Sequence, residues 1–278
     1  MISRENLKEY DKNGYFFIKG LFSIEELQPL INESETFSSH PSKFSVKDAK
    51  GNPAHLISWT HLANDFIGVL PRLKKMVSIP EQILDKEVSH WHSKISFKNP
   101  GSKSGWDWHQ DYGHWYREGC LNPDMLSIGI AISPMTEENG SLKFIKSSHK
   151  FGRIDHMATG SSNSADPEYV AEALKKYEVQ PCLLDPGDAV VFHCNLLHGS
   201  GPNLTNKHRS LIMCSYNAFD NDPWKPIDPG HHSQEIQTLP DDKLIKGEWV
   251  SLMGESKLLN LDGAYVFGYD YESESNLI

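Results

Sequence analysis

Met125-Leu-Ser-Ile-Gly-Ile-Ala-Ile-Ser133 alternates strictly, with Leu126, Ile128, Ile130 and Ile132 set against Ser127, Gly129 and Ala131. Successive side chains of a strand point to opposite faces, so this stretch predicts a strand with one bulky face and one small one. The small face leaves room either for a ligand or for a bulky neighbour. From His90 onward the chain repeats this pattern in short pieces, divided by turn signals at Asn99-Pro-Gly101, Glu138-Asn-Gly140, Asp185-Pro-Gly187 and Gly199–Pro202. An all-β core over about residues 86–217 is predicted, interrupted by a polar, acidic helical insert from about Asp166 to Tyr177.

Upstream, about 1–85 reads as a helical flank. Ser23 and Glu26 form a capping box, and Leu27, Leu30 and Ile31 follow at helical spacing. A second helix is expected from about Leu62 to Val77, ended by Ile79-Pro80. Downstream, about 218–278 carries Trp224, Trp249, Tyr265 and Phe267 among Pro and Asp, too aromatic for a disordered tail, and is expected to cover the core. The whole of 1–278 reads as one domain, without internal repeats.

With 278 residues, 38% hydrophobic and 23% charged, the chain can bury roughly 70–75% of its unfolded surface. Its formal charge of −10 repels phosphate backbones and anionic membranes, so a small-molecule partner is expected rather than nucleic acid. Cys120, Cys182, Cys194 and Cys214 form no C-x-x-C pair, which suits a reducing cytoplasm better than a disulfide framework or a zinc knuckle. The charged N-terminal stretch lacks the apolar segment of a signal peptide, and no 18-residue apolar run occurs. Neither export by that route nor a membrane span is expected.

The chemistry concentrates in Trp106-Asp-Trp-His-Gln-Asp-Tyr-Gly-His-Trp115. In extended backbone His109 and Asp111 project from the same face, where an imidazole and a carboxylate can converge on one ion. Fourteen histidines make such a pairing weak by itself. His198 strengthens it: it stands 89 residues later, in Phe192-His-Cys-Asn-Leu-Leu-His-Gly-Ser200, directly after the apolar strand Ala189–Phe192. Two histidines and one carboxylate make the facial triad of non-haem Fe(II) oxygenases, with positions open for a cosubstrate and O₂. Zinc could occupy the same ligands, but structural zinc prefers a closed four-ligand shell and a hydrolytic site wants an adjacent general-base Glu, which neither histidine has. Eleven residues beyond His198, Arg209 alternates with Leu211, Met213 and Ser215, so a guanidinium points the same way as apolar neighbours. Such a group demands an anion, either a structural Asp or Glu or the distal carboxylate of 2-oxoglutarate held bidentately.

His109-Gln-Asp111, Glu138-Asn-Gly-Ser-Leu142, Ser147-Ser-His-Lys150, Pro186-Gly-Asp188, His198-Gly-Ser-Gly201 and Arg209 together resemble the phytanoyl-CoA dioxygenase family, which includes ectoine hydroxylase. The resemblance runs from about His90 to Tyr216. It implies a double-stranded β-helix (jelly-roll, cupin-like) core, mainly β with flanking helices. It also implies iron on His109, Asp111 and His198, with 2-oxoglutarate held by Arg209 and Ser200. The preceding strand, His90 to Lys98, is similar to the family strand that faces the cosubstrate. Its polar face of His92, Lys94, Ser96 and Lys98 either belongs to a solvent-facing edge strand or, since it is costly on a central strand, lines a wet site. In the latter case Lys94 and Ser96 are expected on 2-oxoglutarate or substrate, and His92 and Lys98 on substrate. Trp115 resembles the aromatic that walls the pocket in ectoine hydroxylase. Asp107 and Arg117 could meet charged ends of a substrate or be ordinary loop charges, while His149, His156, His193, His231 and His232 read as packing or surface residues. Related halogenases carry a small residue at the carboxylate position, so Asp111 favours hydroxylation or another oxidation. The expected substrate is a small polar metabolite such as an amino acid, an amine, a phosphonate or a secondary-metabolite intermediate. A non-catalytic carboxylate-binding β-helix protein and a metal-dependent hydrolase or isomerase on a cupin-like barrel remain as alternatives.

Overall fold

The structure is a computed structural model that describes residues 2–225 and 232–256. Thirteen strands are described: β1 (Tyr15–Ile18), β2 (Phe44–Lys47), β3 (Pro53–Trp59), β4 (Val88–Lys98), β5 (Trp106–His109), β6 (Met125–Ala131), β7 (Leu142–Ile145), β8 (His156–Thr159), β9 (Ser162–Ala165), β10 (Val179–Pro181), β11 (Ala189–His193), β12 (His198–Ser200) and β13 (Arg209–Ala218). A seven-stranded sheet runs β1-β11-β6-β13-β4-β3-β2, a four-stranded sheet runs β10-β7-β12-β5, and β8 and β9 form a separate hairpin. The pairings between these strands are antiparallel, as a jelly roll requires.

Alternation divides the large sheet between two cores. Leu126, Ile128 and Ile130 of β6, with Ile212 and Cys214 of β13 and Ile95 of β4, pack outward beneath the helices. Those helices are α2 (Ile24–Glu33) and α4 (Lys74–Leu84), which bury Leu27, Leu30, Met76 and Val77 in the same cluster. The opposite face of the large sheet supplies Ala131, Val190, Phe192, Leu211 and Met213, which meet Leu142 and Phe144 of the small sheet. Both faces of the large sheet are thereby covered, and the inner space between the sheets is where the small-residue face of β6 looks.

The helical reading of the N-terminal flank needs correction. The helices α1 (Arg4–Asn13) and α2 are present, the latter with its Ser23/Glu26 capping box, but β1, β2 and β3 extend the large sheet on both sides. Tyr15-Phe-Phe-Ile18 follows the left-handed Gly14 that ends α1 and pairs with β11, which is what an aromatic, β-branched run after a helix stop favours. The predicted helix over Leu62 to Val77 is replaced by the short α3 (Phe66–Val69), a 3₁₀ turn and α4, and Pro80 lies inside α4. Ile79 and Pro80 are both buried there, so packing compensates the one backbone bond proline cannot make. The helical insert appears as α6 (Pro167–Lys176), capped by Asp166. Of the aromatic cover, Trp249 packs edge-on against Phe66 at 5.4 Å, Trp224 is 69% exposed, and Tyr265 and Phe267 lie outside the described residues. Among the described residues no helix is long and apolar enough to cross a membrane.

Candidate metal centre and cosubstrate pocket

β5 and β12 pair so that His109 stands directly opposite His198. Cross-strand partners share a face, and the two imidazole centroids lie 4.1 Å apart. The chain stays extended through Gln110 (φ −111, ψ 135), then Asp111 opens the short α5 (Asp111–Trp115). One ligand atom from each of His109, Asp111 and His198 falls within 4.8 Å of the others, and all three residues are buried.

The donor chemistry suits a divalent ion. His109 donates its Nδ1–H to the carbonyl of Asp107 (2.8 Å) and His198 donates its own to the carbonyl of Leu196 (2.9 Å). Each bond fixes the tautomer, leaving the Nε2 lone pair for a metal. Burial pushes both imidazoles below their ordinary pKa, so the 3.9 Å approach of His198 Nε2 to Asp111 Oδ1 is not an ion pair. Burial opposes ionisation of Asp111, but Lys94 and the neighbouring imidazoles outweigh it and hold the carboxyl well below the usual range. Lys94 Nζ lies 3.7 Å from Asp111 Oδ1, and Ser127 Oγ donates to Asp111 Oδ2 at 3.2 Å while exchanging a 2.9 Å bond with Ser215 Oγ. The small face of β6 thus serves the site through Ser127.

A cavity opens onto this cluster. Lys94, Ser96, Trp106, His114 and Ser162 give it polar or aromatic walls, and Leu56, Leu142 and Met213 an apolar one. Behind Ser96 sits Arg209, fully buried, whose Nη2 donates to the Gly140 carbonyl (2.8 Å) and Nη1 to the Ser96 carbonyl (3.4 Å). Gly140 is in the left-handed region (φ +74), and a Cβ there would come within 2.5 Å of the Gly201 carbonyl, so the turn that presents this acceptor needs glycine. The Nε of Arg209 and the Oγ of Ser200 are buried without a hydrogen-bond partner. Burial lowers the Arg209 pKa to about 10, which leaves a charged guanidinium with a donor to spare. These orphaned donors fit a carboxylate.

The sequence profile of the family described as phytanoyl-CoA dioxygenase matches residues 10–211. The chain belongs to that family. It is accordingly a non-haem iron dioxygenase that uses Fe(II), 2-oxoglutarate and O₂, on the jelly-roll core of its relatives. The chain is similar to L-proline trans-4-hydroxylase of Streptomyces griseoviridis (26% identity over 236 residues, 79% of this chain and 88% of the relative). It is also similar to an ectoine dioxygenase of Streptomyces coelicolor (25% identity, 81% of each chain) and to a probable alpha-ketoglutarate-dependent hypophosphite dioxygenase of Stutzerimonas stutzeri (28%, covering 78% and 79%). Among solved structures it resembles EctD from S. alaskensis with 2-oxoglutarate and 5-hydroxyectoine, with a TM-score of 0.73, 22% identity, and coverage of 86% and 88%.

Against the expectations for this family, the structure brings His109, Asp111, His198, Lys94 and Ser96 to one cavity and sets Arg209 behind it. Three expected substrate residues do not line it. Trp115 is 2% exposed and packs with Trp91, Tyr112, Cys120, Met125 and Cys194, while His92 meets its ring edge-on at 5.6 Å. Lys98 is equally buried, and its Nζ donates to the carbonyls of Ser104 (2.9 Å) and Gly201. Asp107 accepts from the Ala49 amide (2.8 Å) and Arg117 donates to the His156 carbonyl (2.9 Å), so both belong to loop structure. His156 accepts from the Gln110 amide (2.9 Å) and so braces the residue between two site side chains. His149 donates to the Asp11 carbonyl, His193 lies tilted against Tyr10, His232 meets Asp222, and His231 lies outside the described residues. The sequence reading missed His114, which faces the cavity because α5 winds as a helix: three residues beyond Asp111 is the same helical face.

Proposed function

We propose that the chain hydroxylates a C–H bond of a small polar metabolite, an amino acid, amine, phosphonate or secondary-metabolite intermediate. In this reading His109, Asp111 and His198 hold Fe(II), Arg209 and Ser200 hold the far carboxylate of 2-oxoglutarate, and Lys94 and Ser96 line the side where cosubstrate and substrate meet. The observation that carries it is the pairing of two free Nε2 lone pairs beside Asp111 with an under-satisfied, fully buried guanidinium in the same inter-sheet space. Bound iron, with 2-oxoglutarate and O₂, supplies the oxidation that yields succinate, CO₂ and a hydroxylated product. The protein supplies position and dryness. Carbonyl-anchored imidazoles hold their orientation, Ser127 steadies Asp111, and Leu56, Leu142 and Met213 exclude water from one wall.

The relatives' own names, proline, ectoine and hypophosphite oxygenases, support a compact polar substrate, and the net charge of −10 disfavours a polyphosphate carrier. The carboxylate of Asp111, where related halogenases have a small residue, supports hydroxylation or another oxidation over halogenation. Four free, buried cysteines suit a reducing, cytoplasmic setting. A compound screen read out by succinate release tests the reading. A hit should lose substrate-dependent succinate in H109A and D111A, and wild-type-like turnover in either variant would contradict the assignment.

A further inference from the structure

β4 and β13 slip by one residue where Ser215 pairs with His92 and Tyr216 with His90. Such a bulge re-aims the side chain beyond it. His90 accordingly leaves the side that carries Lys94 and meets Tyr216 of the helix-covered core edge-on, with ring centroids 6.3 Å apart. There it borders a second cavity, lined also by Thr60, Leu62, Arg72, Glu235 and Ile236, which shares no lining residue with the metal cavity. Backbone bonds fasten its walls. Glu235 bridges Ser89 of β4, the Leu239 amide donates to the Arg72 carbonyl (2.8 Å), and the Lys74 amide donates to the Leu239 carbonyl (2.9 Å). Residues 234–239 are thus held to β4 at one point and to the start of α4 at another.

One wall of this cavity carries a charge that nothing answers. Arg72 closes the 3₁₀ turn after α3 and is 7% exposed. Its Nε donates to the Gly68 carbonyl (2.9 Å), and its Nη2 to the Ala63 carbonyl and to Asn64 Oδ1 (3.0 Å). These acceptors are neutral, and Nη1 has no partner among the described residues. Asp65, which caps α3, is already engaged by the amides of Gly68, Gly254, Glu255 and Ser256 and by the Ser256 hydroxyl. Glu235 is exposed at the rim and makes no ion pair among the described residues. A guanidinium stays charged at any ordinary pH, and a buried charge without a counter-ion is costly. The missing partner is an anion. Leu62 and Ile236 add hydrocarbon walls, and Glu235 at the mouth repels a second negative charge. A singly charged organic acid meets these conditions better than a phosphate dianion does.

We propose that this cavity is a second small-molecule site, which takes an organic monocarboxylate with its carboxylate on Arg72 and its hydrocarbon part against Leu62 and Ile236. The site is built from Arg72 and these walls alone and does not depend on the metal centre.

The probe is isobutyrate, titrated into the full-length protein and followed by ligand-observed NMR. Saturable binding is expected in the wild type and equally in Arg209→Ala, which removes the guanidinium of the other cavity. Arg72→Met should weaken it about tenfold or more, the loss of a charge-assisted hydrogen bond. His61→Glu puts a negative charge on the exposed rim of the cavity without touching the bonds of Arg72, and should weaken binding to a similar degree. Should Arg72→Met fold poorly, His61→Glu still decides. An absence of saturable binding in the wild type, or an affinity unmoved by either variant, would overturn the proposal. Binding lost in Arg209→Ala and kept in Arg72→Met would also overturn it, by assigning isobutyrate to the cosubstrate pocket. Inorganic phosphate that displaces isobutyrate at equal or lower concentration would overturn the organic-acid class.

Discussion

Lys98 and Arg209 are buried cations placed opposite one another on β4 and β13, yet the fold treats them differently. Lys98 spends its hydrogens on the carbonyls of Ser104 and Gly201, and burial first, then Arg209, lowers its pKa to about 6. A neutral amine with two carbonyl acceptors needs no anion. Arg209 cannot be neutralised near pH 7; it has two carbonyl partners and keeps Nε unpaired beside an orphaned Ser200 hydroxyl. The contrast teaches that burial of a cation does not mark a ligand site. What marks it is a donor that the protein leaves unanswered.

The largest effect expected from this contrast is on Arg209. Arg209→Ala should cost roughly 3–5 kcal/mol in 2-oxoglutarate binding, the penalty for breaking a buried charge pair, seen as an increase of at least about 100-fold in apparent Kd. An unchanged affinity would remove Arg209 from the cosubstrate site. Ser200→Ala deletes a single hydrogen bond of about 1–1.5 kcal/mol, so roughly tenfold weaker cosubstrate binding is expected by the same titration. Lys98→Met should change that affinity by less than about threefold, or ~0.7 kcal/mol. A change rivalling that of Arg209→Ala would erase the distinction.

Lys98 should instead register in the pH dependence of stability. Its folded pKa is lowered to about 6 against ~10.4 in an unfolded chain. Between those values the unfolded state carries a proton that the folded state lacks, so this residue makes stability rise with pH across that window. Below about 6 both states are protonated and its contribution levels off. Denaturant titrations of wild type and Lys98→Met from pH 6.5 to 9.5 should therefore show a shallower slope in the variant. Parallel slopes would mean that Lys98 is charged in the folded protein.

The triad was legible because its spacing lies in short extended segments whose alternation can be read directly: His109 and His198 sit on strands, and Arg209 heads a third. Lys94 and Ser96 were legible for the same reason, on the polar face of β4. That face could not reveal where it stops being wet. Lys98 belongs to it by parity but lies where the loops carrying Ser104 and Gly201 close over the strand end, a contact set by residues 6 and 103 positions away. His114 was missed because the chain turns helical immediately after Gln110, changing the period from two to 3.6 within the motif itself, whereas Trp115 was placed by resemblance and instead packs among Trp91, Tyr112 and Cys194. β1–β3 were hidden by neighbouring helix signals, and their place in the large sheet depends on pairing with β11 and β4, which local propensity does not encode.

In the proposed function His109, Asp111 and His198 hold iron while Arg209 anchors 2-oxoglutarate beside it. The most direct measurement is an anaerobic titration of 2-oxoglutarate into Fe(II)-loaded protein, followed by the visible charge-transfer band of the iron-bound keto acid. The wild type should show a saturable band, Arg209→Ala the same band only at far higher 2-oxoglutarate, and Asp111→Ala a lost or displaced band with weakened iron binding. A wild-type band and titration curve in Asp111→Ala, or in a His198→Ala variant, would contradict the account.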